Sequence, residues 1–282
     1  MQTLTTADGL PLHLRRWAAP GTARGTVLIV HGLGEHIGRY GHVAAALNSA
    51  GWHAVGYDHR GHGASGGARG AIAGPHSLLA DLALVIDRVR ADLPGPLVLL
   101  GHSMGGLAVG RFVAEALAPV PAVWSRPVDG LVMSSPALDP GMNAVQRLLL
   151  AVMGPLAPNL ALGNGLDASG VSRDAAVVAA YKADPLVHDR ITPALVRFIV
   201  DGGVAVRGLA PQWRMPTLLL WAGADRLVAP AGSAAFAAAA PSAVVTARCL
   251  DGQFHEIFNE PEQAATLALV TGWLGRLVPP PT

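Results

Sequence analysis

A chain of 282 residues, 51% apolar with alanine supplying much of that share, can bury one large α/β core with an insertion. Its 20 Lys and Arg against 19 Asp and Glu leave a net charge of +1 with neither sign clustered, which excludes the basic stripe a nucleic-acid binder needs. The longest apolar stretch, Leu148 to Ala157, is broken by Gly154 and Pro155 and falls short of the ~18 residues of a spanning helix.

In chain order, Leu4 to Thr6 and Leu12 to Arg16 flank an Asp8-Gly9 turn and are expected to pair as a hairpin. Asp8 and Gly9 also stand where a secretory signal would carry its apolar core, so a cytoplasmic location is expected. Cys249, the only cysteine, allows no intrachain disulfide, in keeping with a reducing compartment. Val27 to Val30 reads as a strand buried on both faces, Tyr40 to Ala50 as a helix, and His53 to Tyr57 as a strand before a Gly-rich loop from His59 to Gly74. His59 and His62 in that loop come nearest to a metal-ligand spacing, but no closed metal site follows from it. Helical spacing of Leu78, Leu79, Leu82, Val85, Ile86 and Val89 predicts a helix over His76 to Asp92. Leu97 to Leu100 is the next buried strand, Met104 to Leu117 a helix, and Leu131 to Met133 a strand. Between Pro136 and Ala210 the strand signal disappears, leaving helical segments punctuated by Gly and Pro. Thr217 to Trp221 resumes the sheet, followed by a helix over Ala231 to Ala240, a strand over Val244 to Leu250 and a closing helix over Glu260 to Leu277. The alternation predicts an α/β fold: a mostly parallel central sheet with helices on both faces, its core formed by residues 1–135 and 211–282, with an inserted helical cap over 136–210.

Two segments match the G-x-S-x-G pattern, in which a serine on a tight strand-to-helix turn projects its hydroxyl from a sheet edge: Gly101 to Gly105 around Ser103, and Gly63 to Gly67 around Ser65. Only Ser103 has the frame. Pro96 to Leu100 precedes it as a buried strand, and a helix follows whose N-terminal amides favour negative charge at the turn. Ser65 lies among Gly, Ala and Arg with Pro75 ahead and reads as a flexible loop. A serine needs a base oriented by a carboxylate, and on such an elbow the partners follow in the order serine, acid, histidine. Beyond Ser103 only His188 and His255 remain, and His188 falls inside the expected cap. His255 is therefore the candidate base. Asp225, directly after the strand Thr217 to Trp221, is favoured as the acid over Asp139, which follows an earlier strand. Asp251 and Glu256 flank the histidine too closely to orient its ring and are expected in surface or turn roles. The oxyanion of an acyl-transfer intermediate calls for two backbone N–H donors, which the residue after the nucleophile, Met104, and Leu33 in the His31-Gly32-Leu33-Gly34 loop can supply.

With these residues placed, the chain resembles the monoacylglycerol lipases and lysophospholipases of the α/β-hydrolase superfamily. The resemblance rests on His31 to His36 with Gly38-Arg39-Tyr40, on Tyr57 to Gly63, and on Gly101 to Gly106. It continues through Ser172-Arg173-Asp174, Tyr181 and Asp184-Pro185-Leu186, and ends on Gly223, Asp225, His255-Glu256 and Asn259-Glu260. It implies the α/β-hydrolase fold, a Ser103, Asp225 and His255 triad and an oxyanion hole at Leu33 and Met104. It further implies that Glu35, Arg39 and Tyr181 shape the polar end near a glycerol, against the simpler alternatives of an ion pair for the first two and core packing for Tyr181.

The expected substrate is a small lipid ester, a monoacylglycerol first, cleaved without metal or organic cofactor. A lysophospholipid, a thioester and a short-chain carboxylic ester are the alternatives within enzymes, and an idle binding module on the same fold is the alternative outside them. Val145, Leu148, Leu149, Leu150, Val152, Met153, Leu156 and Leu160 are candidates to line an acyl tunnel or to seat the cap on its core, and the cap's apolar residues would also allow transient contact with a membrane surface. Oligomeric state is not legible.

Overall fold

The computed structural model describes residues 2–278. In chain order its elements are β1 (Gln2–Thr5), β2 (Pro11–Trp17), β3 (Thr26–Val30), α1 (Gly41–Ser49), β4 (His53–Tyr57), α2 (Ser77–Asp92), β5 (Leu97–His102), α3 (Met104–Ala114) and β6 (Gly130–Ser134). There follow α4 (Ala144–Leu156), β7 (Leu162–Gly163), α5 (Ala175–Ala183), β8 (Arg190–Ile191), α6 (Pro193–Leu209), β9 (Thr217–Ala222), α7 (Pro230–Ala239), β10 (Val245–Leu250) and α8 (Gln263–Leu277).

Eight strands form one sheet in the order β1-β2-β4-β3-β5-β6-β9-β10. The first two form the expected antiparallel hairpin, β2 runs antiparallel to β4, and every pairing from β4 to β10 is parallel. Strands β3, β5 and β6 are buried along their whole length, because a parallel sheet covered on both faces has no solvated side. Leu82, Leu107, Phe198 and Phe236 bring α2, α3, α6 and α7 onto one face, while Val43, Leu47, Val270 and Leu274 bring α1 and α8 onto the other.

Three local readings differ from this structure. The segment 136–210 contains a two-residue antiparallel pair, β7 with β8, too short to leave a periodic signal. Helix α3 ends at Ala114 and passes into a 3-10 turn over Glu115–Leu117. The last helix opens at Gln263 rather than Glu260, since Pro261 disfavours helical backbone at the residue before it. Within residues 136–210, α4 and α5 bury no residue, whereas α6 buries Leu195, Phe198, Ile199 and Val206 in the same cluster as α3.

The parallel strands all end at one edge. The turns after β3, β5, β9 and β10 therefore deliver the 31–36 loop, Ser103, Asp225 and the His255 loop to the same rim, where open α/β sheets place their sites.

Candidate active site

Ser103 joins β5 to α3 with φ 55° and ψ −121°, a left-handed conformation that costs a non-glycine residue on the order of 1–3 kcal/mol. Surrounding bonds hold it there. Its N–H donates to Ser134 O, and its carbonyl accepts from Leu107 and Ala137 N–H, each at 3.0 Å. Close packing explains the flanking glycines: a Cβ on Gly105 would lie 2.1 Å from Val30 O, and one on Gly101 would lie 2.4 Å from Gly105 O. Ser65 is a buried joint rather than the flexible loop expected, because its hydroxyl donates to Asp58 O at 2.6 Å and accepts from His13 N at 2.8 Å.

His255 Nδ1 meets Asp225 Oδ2 at 2.7 Å, and Asp225 Oδ1 accepts from Leu227 N at 2.8 Å and Val228 N at 3.1 Å. Asp139, the rival acid, instead lies 3.3 Å from Arg207 and accepts from Gly141 N. Burial favours neutral imidazole at His255, but the charges of Asp225, Glu256 and Glu35 outweigh it and hold the ring above the ordinary histidine value. Burial likewise opposes the Asp225 carboxylate, yet the imidazole and the two amides keep its pKa below the ordinary value. The ring hydrogen-bonds Asp225 and, among the described residues, not the Ser103 hydroxyl, a contact that is often long in substrate-free enzymes.

Ser103 and His255 line one cavity of about 590 Å³ together with Gly32, Leu33 and Met104. The loop after β3 lies directly against Ser103, since a Cβ on Gly32 would stand 3.1 Å from that of Ser103. Met104 opens α3, whose first amides have no partner within the helix and are available to an anion.

Glu35 is 3% exposed and its hydrogen bonds are internal: Oε1 accepts from Gly32 N and from Tyr40 Oη, both at 2.7 Å, and Oε2 accepts from Arg39 at 2.8 Å. Burial favours the neutral acid, but Arg39, His102 and His31 lower its pKa and keep it ionised. Arg39 forks onto Glu256 at 2.6 and 2.7 Å, and its guanidinium lies 4.7 Å from the centre of the Tyr181 ring. Glu35 and Tyr181 line the cavity, with Arg39 behind them. Thus the ion pair offered as an alternative for Glu35 and Arg39 is present, extended by a second carboxylate.

That second carboxylate was missed. Glu256 is buried on Arg39, not in the surface or turn role expected of it, although the His255-Glu256 pair stands among the residues that carry the resemblance. His102 was also missed as a neighbour of His255: its ring centre lies 4.8 Å from that of His255 and its Nδ1 lies 3.1 Å from Ser134 Oγ. Burial, aided by the nearby His255, pushes His102 down to about 4, so it is neutral beside that ring.

Helix α4, capped by the reciprocal bonds of Asn143 and Gln146, turns Leu149, Leu150 and Met153 to the cavity. Val145, Leu148 and Leu156 on the same helix are 74, 67 and 77% exposed, so the expected tunnel residues divide between the two sides. No helix among the described residues is long and apolar enough to cross a membrane.

The family model described as serine aminopeptidase, S33 matches residues 21–262. A monoacylglycerol lipase of Mycolicibacterium smegmatis is 38% identical over 92% of this chain and 90% of its own. A monoglyceride lipase of Homo sapiens is 33% identical over 91% of this chain and 84% of its own. The crystal structure of a Paleococcus ferrophilus monoacylglycerol lipase superposes with a TM-score of 0.81 at 34% identity, covering 94% of this chain and 99% of that one.

Proposed function

The chain belongs to the serine aminopeptidase S33 family of α/β-hydrolases, and we propose that this hydrolase cleaves monoacylglycerols into fatty acid and glycerol through an acyl-enzyme on Ser103. The observation that carries the reading is the Asp225 to His255 contact at 2.7 Å, beside the cavity that Ser103 and His255 line together. Lipid esters fit that cavity because its inner wall is polar near Glu35, Tyr181 and His102 and apolar along α4.

In the proposed reaction His255 Nε2 takes the Ser103 proton as Oγ attacks the ester carbonyl, and Asp225 fixes the tautomer and stabilises the imidazolium that forms. The N–H groups of Leu33 and Met104 receive the oxyanion, each contributing about 3 kcal/mol. His255 then protonates the leaving glycerol. Water, deprotonated by the same imidazole, releases the acid. We assign Glu35 and Tyr181 to the polar end of the cavity, with Arg39 bracing both.

Residues 136–210 form the proposed cap, seated through α6 on the core, with the exposed residues of α4 offered to a membrane surface during substrate uptake. A cytoplasmic location is proposed with it.

The test pairs two assays. A fluorophosphonate probe should label the wild type and leave Ser103→Ala unlabelled. Across monoacylglycerols of increasing chain length, kcat/KM should rise by up to about fourfold per methylene until the cavity is full. Labelling of Ser103→Ala would refute the nucleophile, and a preference for acetate over every longer chain would refute the lipid substrate while leaving the hydrolase.

A further inference from the structure

The loop that carries His255 has no regular structure: residues 251–262 contain neither helix nor strand. A loop must satisfy its backbone groups elsewhere, and this one does so on the insertion. His255 N donates to Gly170 O at 3.4 Å, and Glu256 N donates to Val171 O at 2.8 Å. At the seam between the two segments stands Glu260, a carboxylate with 0% exposure. Its Oε1 accepts from Arg173 N at 2.6 Å and from Ser172 Oγ at 2.9 Å. Its Oε2 accepts from Phe254 N at 3.2 Å and from the Arg173 side chain. Burial opposes this charge, but the Arg173 amide and guanidinium, with the Phe254 amide, lower the Glu260 pKa.

We propose that Glu260 is a positioning residue for His255, clamping the loop that bears the imidazole onto the Gly170–Arg173 segment. The proposal rests on the reading of His255 as the base. Three N–H donors around one carboxylate leave no good place for an amide, since a glutamine would turn its NH₂ toward Arg173 N in one orientation and toward Phe254 N and the Arg173 guanidinium in the other. Turned one way, the NH₂ displaces Arg173 N of the clamped segment; turned the other, it displaces Phe254 N, the peptide immediately before His255, and the Phe254 ring lies 4.1 Å from the guanidinium of Arg226, the neighbour of Asp225. Strain at Glu260 is thereby passed to both members of the His255 and Asp225 pair. The single Ser172 hydroxyl proton is shared between Glu260 and Asn259 O, which also lies 2.9 Å from that Oγ.

The experiment compares the full-length wild type with Glu260→Gln, Ser172→Ala and His255→Ala. It measures kcat and KM on a monoacylglycerol, and the far-downfield proton resonance of the His255 Nδ1–H held by Asp225. Displacement of the ring by a fraction of an ångström should lower kcat on the order of 10- to 100-fold in Glu260→Gln with KM within twofold, and should shift or broaden the resonance. Ser172→Ala should move both readouts in the same direction by less, and it decides the matter by itself if Glu260→Gln does not fold. Wild-type kcat and an unmoved resonance in the folded variants, with His255→Ala inactive, would overturn the positioning role and leave the base standing. Hydrolysis surviving in His255→Ala would overturn both.

Discussion

Replacing Asp225 with Asn changes one atom of the site and should remove nearly all activity. The carboxylate accepts from Leu227 N, Val228 N and His255 Nδ1, and an asparagine that keeps its oxygen on the two amides must turn its NH₂ toward the imidazole. Two donors would then face each other, so the ring would take the other tautomer, with Nδ1 as acceptor and the proton on Nε2. That tautomer cannot receive the serine proton, and the expected loss in kcat is about 10⁴-fold, a barrier increase of about 5 kcal/mol. The same change moves the pH profile. Asp225 is the foremost of the charges that hold His255 above its ordinary value against burial. Catalysis needs the neutral ring, so wild-type kcat/KM should rise with pH through that elevated pKa, and in Asp225→Asn the residual activity should rise at lower pH. Esterase rates on a p-nitrophenyl ester between pH 5 and 9 read both quantities. Activity within tenfold of wild type, or an acid limb that does not move, would refute the assignment of Asp225.

Two glycines should respond with opposite sign in thermal unfolding. Gly105→Ala must place a Cβ 2.1 Å from the Val30 carbonyl and is expected to lose at least about 3 kcal/mol, while Gly272→Ala, inside α8 with only the end of Arg276 near, should gain about 0.5–1 kcal/mol. Acid should weaken the fold well above the carboxylate range. Burial lowers the pKa values of His31, His59, His62 and His102, to about 4 for the first and last, so below pH 6.5 the unfolded chain binds protons that the native state refuses. Stability is thus full above pH 6.5 and falls as pH drops toward the native values, each histidine adding a slope of up to about 1.4 kcal/mol per pH unit, opposed by the elevated His255 and, nearer the carboxylate range, by Asp81, which burial raises. Urea midpoints at pH 7 and pH 5 should show the fall, and His62→Gln should reduce it; equal midpoints would contradict it.

What could be read from the sequence was whatever has a local signature. Buried parallel strands are continuous apolar runs, so β3, β5 and β9 were visible, and the frame around Ser103 distinguished it from Ser65 because a strand before and a helix after the turn are sequence-near facts. His255 followed from chain order together with the place of His188 inside the expected cap. Residues whose role comes from a distant partner had no such signature. Arg39 and Glu256 are 217 positions apart, and the burial that makes their fork matter is set by the whole fold. The two sides of α4 were equally opaque: Leu149 and Leu148 are adjacent and both apolar, yet the first lines the cavity and the second faces outward.

The bonds at the rim also divide the proposed cap into parts with different duties. His188 N donates to Gly34 O at 2.8 Å and Asp184 meets His36 Nε2 at 2.9 Å, so the 184–188 segment is fastened to the loop that bears Leu33. The 170–173 segment is fastened to the loop that bears His255. Both loops proposed to act on the ester therefore take part of their geometry from residues 136–210, and displacing either segment would misplace the Leu33 loop or the His255 loop. Helix α4 shows no such tie to either loop among the described residues: it buries no residue and packs against α6. A displacement of α4 would therefore leave both loops fastened, and its Leu148 and Leu156 stand 67 and 77% exposed.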